Sequence, residues 1–555
     1  MDDLSIEQPM TSVFTAWKQR LNTKAVPRGN TMAIRKTINK IFLSLYHWYL
    51  PEIGLFILSS GLYLYNAFRY SFPTGYAGLY TLMAEQLGEN SFKIPRIVPY
   101  YGPGGFPYAY PSAGFYLAAF IHQIFHIPWF TYLRFAPPLL TLLFLALDYI
   151  FIHKITSSRI KAILGTALTI TAGAVYEYQV QAAGMVRSLA LVFAMLALIF
   201  SWDAFSTGHS LRSTYLRAAL AGLTLGLTVL SHLSYALFAM LGILVFGLLA
   251  QQPNWRIRLA LSAVIFGGGF LVSSAWWGTV LARFGLTVLT NPARSHGNFE
   301  VVHALLVVGL RRMPFLFVQK LIGVTYTWAP AALVGLIASG LVYLILRRKW
   351  ALLVWFLLVF LAVGEPERFL LIIGCIATAE LLGGVLDFVS AQDAGDHHTN
   401  LPLYVIAVCI LFALPVYNAT KTVLSDTPTL TSSLIEASNW VKDRTPPVST
   451  YLLLDDNNDL DEWVPYLTRR TPLVGSWGGE WVGNLTSLDD LSSRLDACVS
   501  AQSYPCLQEL ILQKNLQVSW LISLTNRPSL NTQIGADPAW QLVFKNDQFL
   551  VFGRK

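Results

Sequence analysis

The sequence predicts a polytopic α-helical membrane protein with about 11–13 transmembrane helices and a small C-terminal α/β domain. Of its 555 residues, 54% are hydrophobic and only 13% are charged, with a mean hydropathy of +0.50. Soluble proteins carry about 25% charged residues. Apolar stretches of about 20 residues, the length that crosses a bilayer, recur over the first three quarters of the chain. The remaining residues are polar and mix helical with strand-like patterns.

The predicted transmembrane spans define a membrane domain over residues 49–421, which includes the long polar loop 69–112. The spans cover residues 49–68, 134–153, 158–176, 187–204, 216–231, 233–251, 258–281, 322–346, 350–363, 368–388 and 402–421. Two further apolar stretches, 113–127 and 301–318, are predicted to re-enter the membrane or to lie along its interface.

The net charge of +8 is concentrated near the N-terminus, which does not indicate a nucleic-acid-binding surface. By the positive-inside rule, residues 1–48 form a basic cytoplasmic tail ahead of an uncleaved anchor. Basic connections such as Lys154–Lys161 and Arg347–Lys349 fall on the same side of the predicted spans. This arrangement puts residues 422–555 on the extracytoplasmic side of a multi-pass plasma-membrane protein, with membrane lipids as partners and no nucleic acid.

A long polar loop, residues 69–112, separates the first two predicted spans and ends in a Tyr-, Pro- and Gly-rich stretch. It is too aromatic and too poor in charge to be typical of disorder. Tyrosine has an apolar ring and a polar hydroxyl, which suits the boundary between lipid and water. We therefore expect Tyr101, Tyr108 and Tyr110 to contact a substrate that has one apolar and one polar end.

The polar tail, residues 422–555, has the size and the mixed pattern of one small α/β domain. The predicted strands are Thr450–Leu454, Val518–Ser523 and Gln541–Phe552, and the predicted helices are Leu434–Asp443, Leu488–Val499 and Leu507–Leu516. Cys498 and Cys506 lie close together in this tail. An extracytoplasmic location favours a disulfide between them, and two unpaired thiols are the alternative.

Ionisable residues close to a bilayer are functional candidates, because burying them in lipid is costly. The candidates on the predicted outer side are Glu177, Arg187, His232, Arg294, His296, Glu367 and Arg368. Structural interpretations stay open: Glu177 as a solvated loop residue, His232 as a polar turn residue, and Glu367 with Arg368 as a local ion pair. A guanidinium at the boundary suits a lipid phosphate, which favours a functional role for Arg368. Arg311 and Arg312 either bind the same phosphate or extend towards water.

Other polar features of the chain have weaker interpretations. The aromatic run from Glu462 to Trp481 suits a sugar ring, but a domain core that docks onto the membrane part has the same composition. The Asp-rich stretch 455–462 lacks the spacing and the glycine of an EF-hand loop, so no metal site is predicted. Asp148 and Glu380 lie within apolar spans, and the sequence identifies no partner for either.

The order of these features resembles the GT-C membrane glycosyltransferases, including the bacterial protein-mannosyltransferase-like and aminoarabinose-transferase-like families. The shared layout is a basic N-terminus, one span and a long outer loop that ends in an aromatic-Pro run, here Phe106 to Ser112. An arginine then opens the next span, here Arg134, and a basic inner turn follows, here His153 to Arg159. An outer connection with an acid comes next, here Glu177, and a soluble domain ends the chain. The resemblance covers about residues 40–390 and does not assign the tail.

The resemblance implies transfer of a sugar from a polyprenyl-phosphate donor to a lipid, glycan or protein acceptor on the outer face. Glu177 would then be catalytic and Arg368 would bind the donor phosphate. These enzymes usually carry an Asp soon after the first span, and the corresponding stretch here has no acid. Either Glu85 or Glu177 takes over its role, or the protein binds or moves a lipid-linked glycan without catalysis. No cofactor is assigned, and a divalent cation is left open.

Overall fold

The computed structural model describes residues 31–207, 210–249, 254–295, 315, 330–393 and 401–555. The chain falls into two compact units, Met1–Phe56 and Ile57–Lys555. The loop 69–112, the membrane helices that follow it and the C-terminal domain all belong to the second unit. His296, Arg311, Arg312, the first 30 residues of the basic tail and all but one residue of the apolar stretch 301–318 lie outside the described residues.

The membrane part of the chain is built from helices. In chain order they are α1 (Thr31–Arg69), α2 (Gly78–Glu89), α3 (Ala113–Phe125), α4 (Trp129–Thr156), α5 (Arg159–Ile170), α6 (Gly184–Phe205), α7 (Leu211–Ser231), α8 (Leu233–Leu248), α9 (Trp255–Phe284), α10 (Leu286–Ser295), α11 (Pro330–Leu346), α12 (Trp350–Ala362), α13 (Glu367–Asp393) and α14 (Leu401–Ser425). Within the described residues, six helices are long and apolar enough to cross a membrane: α4, α6, α7, α9, α13 and α14. The multi-pass helical fold is thus confirmed, and the count of eleven spans stays a prediction.

The helix at the predicted span 158–176 is shorter than the sequence predicts. The stretch 158–176 forms helix α5 only as far as Ile170. Twelve residues of α-helix measure about 18 Å, less than the thickness of a bilayer core. After Thr171 and Ala172 the chain makes two short helical turns, Gly173–Val175 and Tyr176–Val180, and polar groups of the second turn bond to Asp426 and Ser188.

Helix α4 defines two opposite faces of the membrane domain, because its 28 residues are about 42 Å long. Near its start, the Arg134 side chain donates to the Ala67 carbonyl at 3.1 Å, beside the loop 69–112. We call this end the loop face. Near the other end of the helix, Lys154 pairs with Asp203 at 2.8 Å, and we call that end the basic face.

Glu380, for which the sequence identified no partner, is buried and pairs with two lysines. Its carboxylate accepts from Lys161 at 3.0 Å and from Lys349. A buried carboxylate is tolerated where cations neutralise it. The three residues therefore join α5, α13 and the start of α12 at the basic face.

The loop 69–112 is ordered by hydrogen bonds from its own tyrosines. Helix α2 occupies its first half, and strands β1 (Ile97–Val98) and β2 (Phe106–Pro107) pair antiparallel in its second half. The Tyr108 hydroxyl donates to the Met83 carbonyl of α2 at 2.9 Å. Gly105, with φ of +69°, makes the tight return between the two strands, a conformation that other residues rarely adopt.

The C-terminal domain is built around a five-stranded sheet. Its elements are α15 (Ser432–Arg444), β3 (Thr450–Leu454), α16 (Asn458–Thr468), β4 (Thr471–Pro472), α17 (Gly479–Val482), α18 (Leu485–Ser500), α19 (Tyr504–Gln513), β5 (Trp520–Leu524), α20 (Pro528–Ala536), β6 (Trp540–Lys545) and β7 (Phe549–Arg554). The strand order is β4-β3-β5-β7-β6. Strand β3 is parallel to β4 and β5, and β7 is antiparallel to β5 and β6.

Alternating side chains of β3 fill the cores on the two faces of this sheet, as the period of two in a strand requires. Leu453 packs on one face in the core that contains Trp463 of α16. Leu452 packs on the other face in the core that contains Leu530 of α20. The first of these cores also includes Tyr108 of the loop 69–112, so one face of the sheet is continuous with the interior of that loop.

Local chemistry explains where the tail departs from its predicted elements. The predicted strand 541–552 is two strands, because the Asn546 side chain accepts from the Phe549 N–H at 2.8 Å and closes a hairpin turn. The Asp-rich stretch begins helix α16, which Asn457 caps by accepting from the Asp459 N–H at 2.9 Å. Acidic residues are favourable at a helix N-terminus.

Cys498 and Cys506 form a disulfide with their Cα atoms 5.5 Å apart.

A buried carboxylate joins the C-terminal domain to the loop 69–112. The Glu462 side chain is 0% exposed, and its Oε2 accepts from the Gly78 N–H at 2.8 Å, at the start of α2. Gly78 must be a glycine here, because a Cβ would collide with the Glu462 carbonyl oxygen. The Trp463 indole donates to the Gly75 carbonyl at 2.9 Å, and Arg469 pairs with Glu85 at 2.5 Å. The tail therefore docks through its own core helix, α16.

We expect this docking to depend on pH through the ionisation of Glu462. Burial raises the pKa of Glu462 to about 8, although the Gly78 N–H opposes the rise. Because the folded pKa lies above the ordinary value of 4.5, the contribution of Glu462 to stability is complete below about pH 4.5 and is lost as the pH rises through about 8. We expect the thermal stability of the purified protein to fall from about pH 5 to about pH 9.

In the Glu462→Gln variant that fall should be smaller, because glutamine keeps an acceptor for the Gly78 N–H and cannot ionise. Thermal unfolding followed by intrinsic fluorescence over this pH range measures the difference. Glu509→Gln, at an exposed carboxylate of the same domain, is the matched control and should retain the wild-type slope. Equal slopes in Glu462→Gln and wild type would contradict the role assigned to Glu462.

Candidate active site

The chain between α5 and α6 makes an irregular turn at the loop face. A short helical turn, Gly173–Val175, leads into a π-helical turn, Tyr176–Val180. Single π-helical turns are rare and are frequent at functional sites. This turn carries Glu177, the acid that the sequence singled out in this connection.

Helices α1 and α14 hold the first residue of the turn. The Asn66 side chain donates to the Tyr176 hydroxyl at 2.7 Å, and this hydroxyl donates to the Asp426 carboxylate at 2.7 Å. Asn66 also donates to the Val423 carbonyl at 2.8 Å. The end of α1 and the end of α14 therefore meet at Tyr176.

Helices α4, α6 and α8 hold the other end of the turn. The Gln179 carbonyl accepts from the Ser188 hydroxyl at 2.5 Å and from the Thr141 hydroxyl at 3.1 Å. The Gln179 side chain donates to the Tyr235 hydroxyl. With both ends bound, the position of Glu177 and Tyr178 between them is set by the helix bundle.

Glu177 is half-buried at this position. Burial, with a smaller contribution from the negative charge of Asp426, raises the pKa of Glu177. A carboxylate whose pKa is raised towards neutrality is a better general base or acid than an exposed one. The local environment of Glu177 therefore suits proton transfer.

Two arginines from different helices meet around the ring of Tyr178. The Arg368 guanidinium carbon lies 4.5 Å from the ring centre, and that of Arg187 lies 5.5 Å from it. Both distances are within the range of cation–π contact. Arg187 opens α6 and Arg368 opens α13, so the helix bundle brings two cations together that are distant in sequence.

Both guanidinium groups have donors to spare. Arg187 donates to the Tyr76 hydroxyl at 2.6 Å, and Arg368 pairs with the exposed carboxylate of Glu365. The Nε atom of each arginine is buried and, within the described part of the chain, has no hydrogen-bond acceptor. Buried polar atoms in folded proteins nearly always have a partner, so an anion with several acceptor oxygens fits this place.

The C-terminal domain covers this region through the segment around α17. The Trp477 ring packs on Tyr76 with ring centres 5.0 Å apart. The Tyr110 hydroxyl donates to the Glu480 carboxylate, and the Tyr110 ring lies 4.7 Å from that of Trp481. The aromatic run of the tail, for which the sequence left two interpretations, therefore contacts the loop 69–112 directly.

Several residues predicted to be catalytic or to contact substrate interact with the protein itself. The Tyr101 hydroxyl donates to the Glu462 carbonyl at 2.6 Å, and the Tyr108 hydroxyl donates to Met83. Both tyrosines are buried and position the loop. The Glu85 carboxylate is occupied by its ion pair with Arg469 of the C-terminal domain.

The remaining candidates lie at three helix ends. His232 links α7 to α8, where its ring accepts from the Ser234 N–H at 3.3 Å and packs edge-on against Tyr235. Glu367 begins α13 beside Arg368, and Arg294 is exposed near the end of α10. A role for these residues in binding substrate stays a prediction.

The sequence analysis missed Tyr178, Tyr76 and Asp426 as site residues. Tyr178 was adjacent to a candidate acid, but nothing in the sequence indicated that two arginines would flank it.

Among the residues described, no group of three or more His, Cys, Asp or Glu side chains is placed to hold a metal ion.

Comparisons with known proteins concern the fold. No protein-family model matches the chain, and no curated protein matches it. The archaeal oligosaccharyltransferase AglB from Archaeoglobus fulgidus, in complex with an inhibitory peptide and a dolichol-phosphate, superposes with a TM-score of 0.57 at 14% identity, over 86% of this chain and 69% of that chain. The same enzyme tethered to an acceptor peptide gives a TM-score of 0.59 at 14% identity, over 87% and 70% of the two chains.

A bacterial structure matches over nearly its whole length. ArnT from Cupriavidus metallidurans, bound to undecaprenyl phosphate, superposes with a TM-score of 0.50 at 12% identity, over 91% of this chain and 98% of that chain. At identities this low, the superpositions establish a shared fold and nothing further. The chain therefore has the GT-C fold, the fold of the membrane glycosyltransferases that it resembles in layout.

Proposed function

We propose that this protein transfers a sugar from a polyprenyl-phosphate-linked donor to an acceptor at the outer face of the plasma membrane. The observation that carries the proposal is the pair Arg187 and Arg368 around Tyr178, each with a buried Nε that lacks an acceptor within the described residues. A lipid-linked sugar phosphate offers the acceptor oxygens that these donors lack. Its polyprenyl chain is apolar and suits a site at the end of membrane helices.

The arginine pair also suits the chemistry of transfer. When the bond between the sugar and the phosphate breaks, negative charge grows on the phosphate oxygens. Cations fixed in a partly dry site stabilise that charge more effectively than water does. Arg187 is 8% exposed and the Arg368 side chain 9% exposed, so both charges act in a site that excludes most water.

Glu177 is the residue that we assign as general base towards the acceptor. It precedes Tyr178 in the chain, so one rigid turn carries the base and the ring that the arginines flank. Its raised pKa suits removal of a proton from the acceptor during attack on the sugar carbon. Glu85 is not assigned this role, because Arg469 holds its carboxylate.

The solved structures of similar fold support the class of donor. AglB was solved with a dolichol-phosphate and ArnT with undecaprenyl phosphate, two polyprenyl phosphates. AglB was also solved with a tethered acceptor peptide. For this chain, the acceptor could be a lipid, a glycan or a protein.

We further propose that the loop face is extracytoplasmic and the N-terminus cytoplasmic. The lysines at the basic face, Lys154, Lys161 and Lys349, support this orientation through the positive-inside rule. The Cys498–Cys506 disulfide of the C-terminal domain also supports this orientation, because disulfides persist in oxidising compartments such as the extracytoplasmic side.

Removing either arginine should weaken donor binding. In Arg187→Gln and Arg368→Gln we expect affinity for undecaprenyl phosphate to fall about 10- to 100-fold, because charge-assisted hydrogen bonds contribute about 1.5–3 kcal/mol. The measurement is titration of the lipid into purified protein in nanodiscs. Arg554→Gln, at an exposed arginine of β7, is the matched control. Unchanged affinity in both site variants would remove the basis of the proposal.

The second test separates catalysis from binding. We expect Glu177→Gln to lower the transfer rate about 10²- to 10⁴-fold with donor affinity retained, whereas Glu85→Gln should retain transfer. Since Glu177 acts as a base, wild-type transfer should slow as the pH falls below its raised pKa. The assay follows radiolabelled sugar leaving a lipid-linked donor in reconstituted membranes. Full transfer by Glu177→Gln would instead favour a protein that binds or moves a lipid-linked glycan.

The third test addresses orientation. In a Cys375→Ala/Cys409→Ala background, we expect Cys498 and Cys506 to react with an alkylating reagent in intact cells only after a reductant is added. The physical reason is that the disulfide removes both thiols in an oxidising compartment. Mass shift of the denatured protein on a gel reports the modification. Labelling of both thiols without reductant would contradict an extracytoplasmic tail.

A further inference from the structure

The C-terminal domain contains a polar cavity that the proposed catalytic groups do not use. Its volume is about 410 Å³, within the range of small-molecule sites. It is lined by Asn457 and Leu460 after β3, by the end of β5 and the residues that follow it, by the start of β7, and by residues of the segment 427–431 after α14. The cavity therefore lies where the sheet faces the end of the membrane domain.

The topology of the sheet predicts a ligand-binding crevice at this place. From β3 the chain crosses through α16 to β4 on one side, and from β5 it crosses through α20 to β6 on the other side. Helices α16 and α20 pack on opposite faces of the sheet. In open α/β sheets, ligands bind outside the carboxyl ends of the strands at the point where such connections diverge. Asn457 and Asn526 line the cavity at these two strand ends.

The walls of the cavity are polar and uncharged. Among the described residues that line it, none has an ionisable side chain. The side-chain oxygen of Gln548 accepts from the Thr431 hydroxyl, and the side-chain oxygen of Asn457 caps α16, which leaves the NH₂ group of each amide available. Within the described residues, the side chains of Asn526 and Thr427 make no hydrogen bond. Leu460 supplies an apolar surface below these groups.

The cavity is linked to the turn that carries the proposed base. Thr427 lines the cavity and directly follows Asp426 in the chain. Asp426 accepts from the hydroxyl of Tyr176, the neighbour of Glu177, and its charge contributes to the environment of Glu177. A molecule that fills the cavity and extends past Thr427 therefore approaches Asp426 and the turn that it holds.

We infer that this cavity binds a neutral sugar unit of the acceptor, so that the acceptor is a glycan. Amide and hydroxyl side chains can both donate to and accept from sugar hydroxyls, and the apolar floor suits the C–H face of a sugar ring. The inference rests on the proposed function in one respect: it assigns the bound glycan the role of acceptor.

Other ligand classes fit this cavity less well. A phosphate group needs cations, and the lining has none among the described residues. Peptides are usually bound at open sheet edges, in apolar grooves or by arginine clusters. The edges of this sheet are β4 and β6, whereas the cavity lies at the ends of the central strands.

The test measures binding of free glycans to full-length protein in nanodiscs by saturation-transfer NMR. The probes are neutral trisaccharides of glucose, mannose, galactose and arabinose, with glucose 1-phosphate and an uncharged Ser/Asn-rich peptide as comparison ligands. The variant is Asn526→Leu/Gln548→Leu, which removes two exposed hydrogen-bonding side chains and spares the cap of α16. Gln541→Leu, at an exposed glutamine of the edge strand β6, is the matched control.

We expect at least one neutral trisaccharide to bind wild type and Gln541→Leu equally, and the double variant to bind it about tenfold more weakly. Affinity for undecaprenyl phosphate should be the same in all three proteins, which separates this inference from the donor site at Arg187 and Arg368. Loss of lipid binding in the arginine variants with glycan binding retained would support both sites independently. Three results would overturn the inference: no binding of any trisaccharide, binding only of the phosphorylated sugar or the peptide, or equal binding by the double variant.

Discussion

The turn Tyr176–Val180 brings polar groups into the end of an apolar helix bundle, and each of those groups needs a partner there. Asn66 and Asp426 bind the Tyr176 hydroxyl, and Ser188 and Thr141 donate to the Gln179 carbonyl. Helices α1, α4, α6 and α14 therefore converge on one short segment. That convergence leaves Glu177 and Tyr178 in a fixed position at the loop face, next to the arginines that open α6 and α13.

The C-terminal domain completes this region because its core is continuous with that of the loop 69–112. Glu462 caps helix α2 from the side of the domain, and Trp477 packs on Tyr76, which in turn accepts from Arg187. A change in how the domain docks would therefore reach Arg187 through the contact between the rings of Trp477 and Tyr76. The same contacts explain why the polar tail carries the aromatic run from Trp463 to Trp481: these rings pack in the interface with the loop 69–112.

Two regions with different electrostatics lie on the two sides of the segment that contains Tyr176 and Tyr178 in the proposed arrangement. Cations and a buried ring lie on one side, which suits a lipid phosphate. An uncharged polar cavity lies on the other side, beyond Asp426, and suits sugar hydroxyls. In the proposed reaction, the charged donor and the neutral sugar unit of the acceptor would lie on opposite sides of the reacting carbon. The separation of charged and neutral surfaces in this chain is consistent with that requirement.

Local composition determined the membrane helices and the α/β character of the tail, and it singled out ionisable residues such as Arg187, Arg368 and Glu177 as candidates at the bilayer boundary. These features depend on hydropathy and charge over short stretches, which the sequence displays directly. The tertiary structure decided which residues meet. Glu85 and Arg469 are 384 positions apart, and Tyr176 and Asp426 are 250 apart. Contacts over such separations depend on how the helices and the sheet pack together, so no local pattern could distinguish Glu85 as a docking residue from Glu177 as the candidate base.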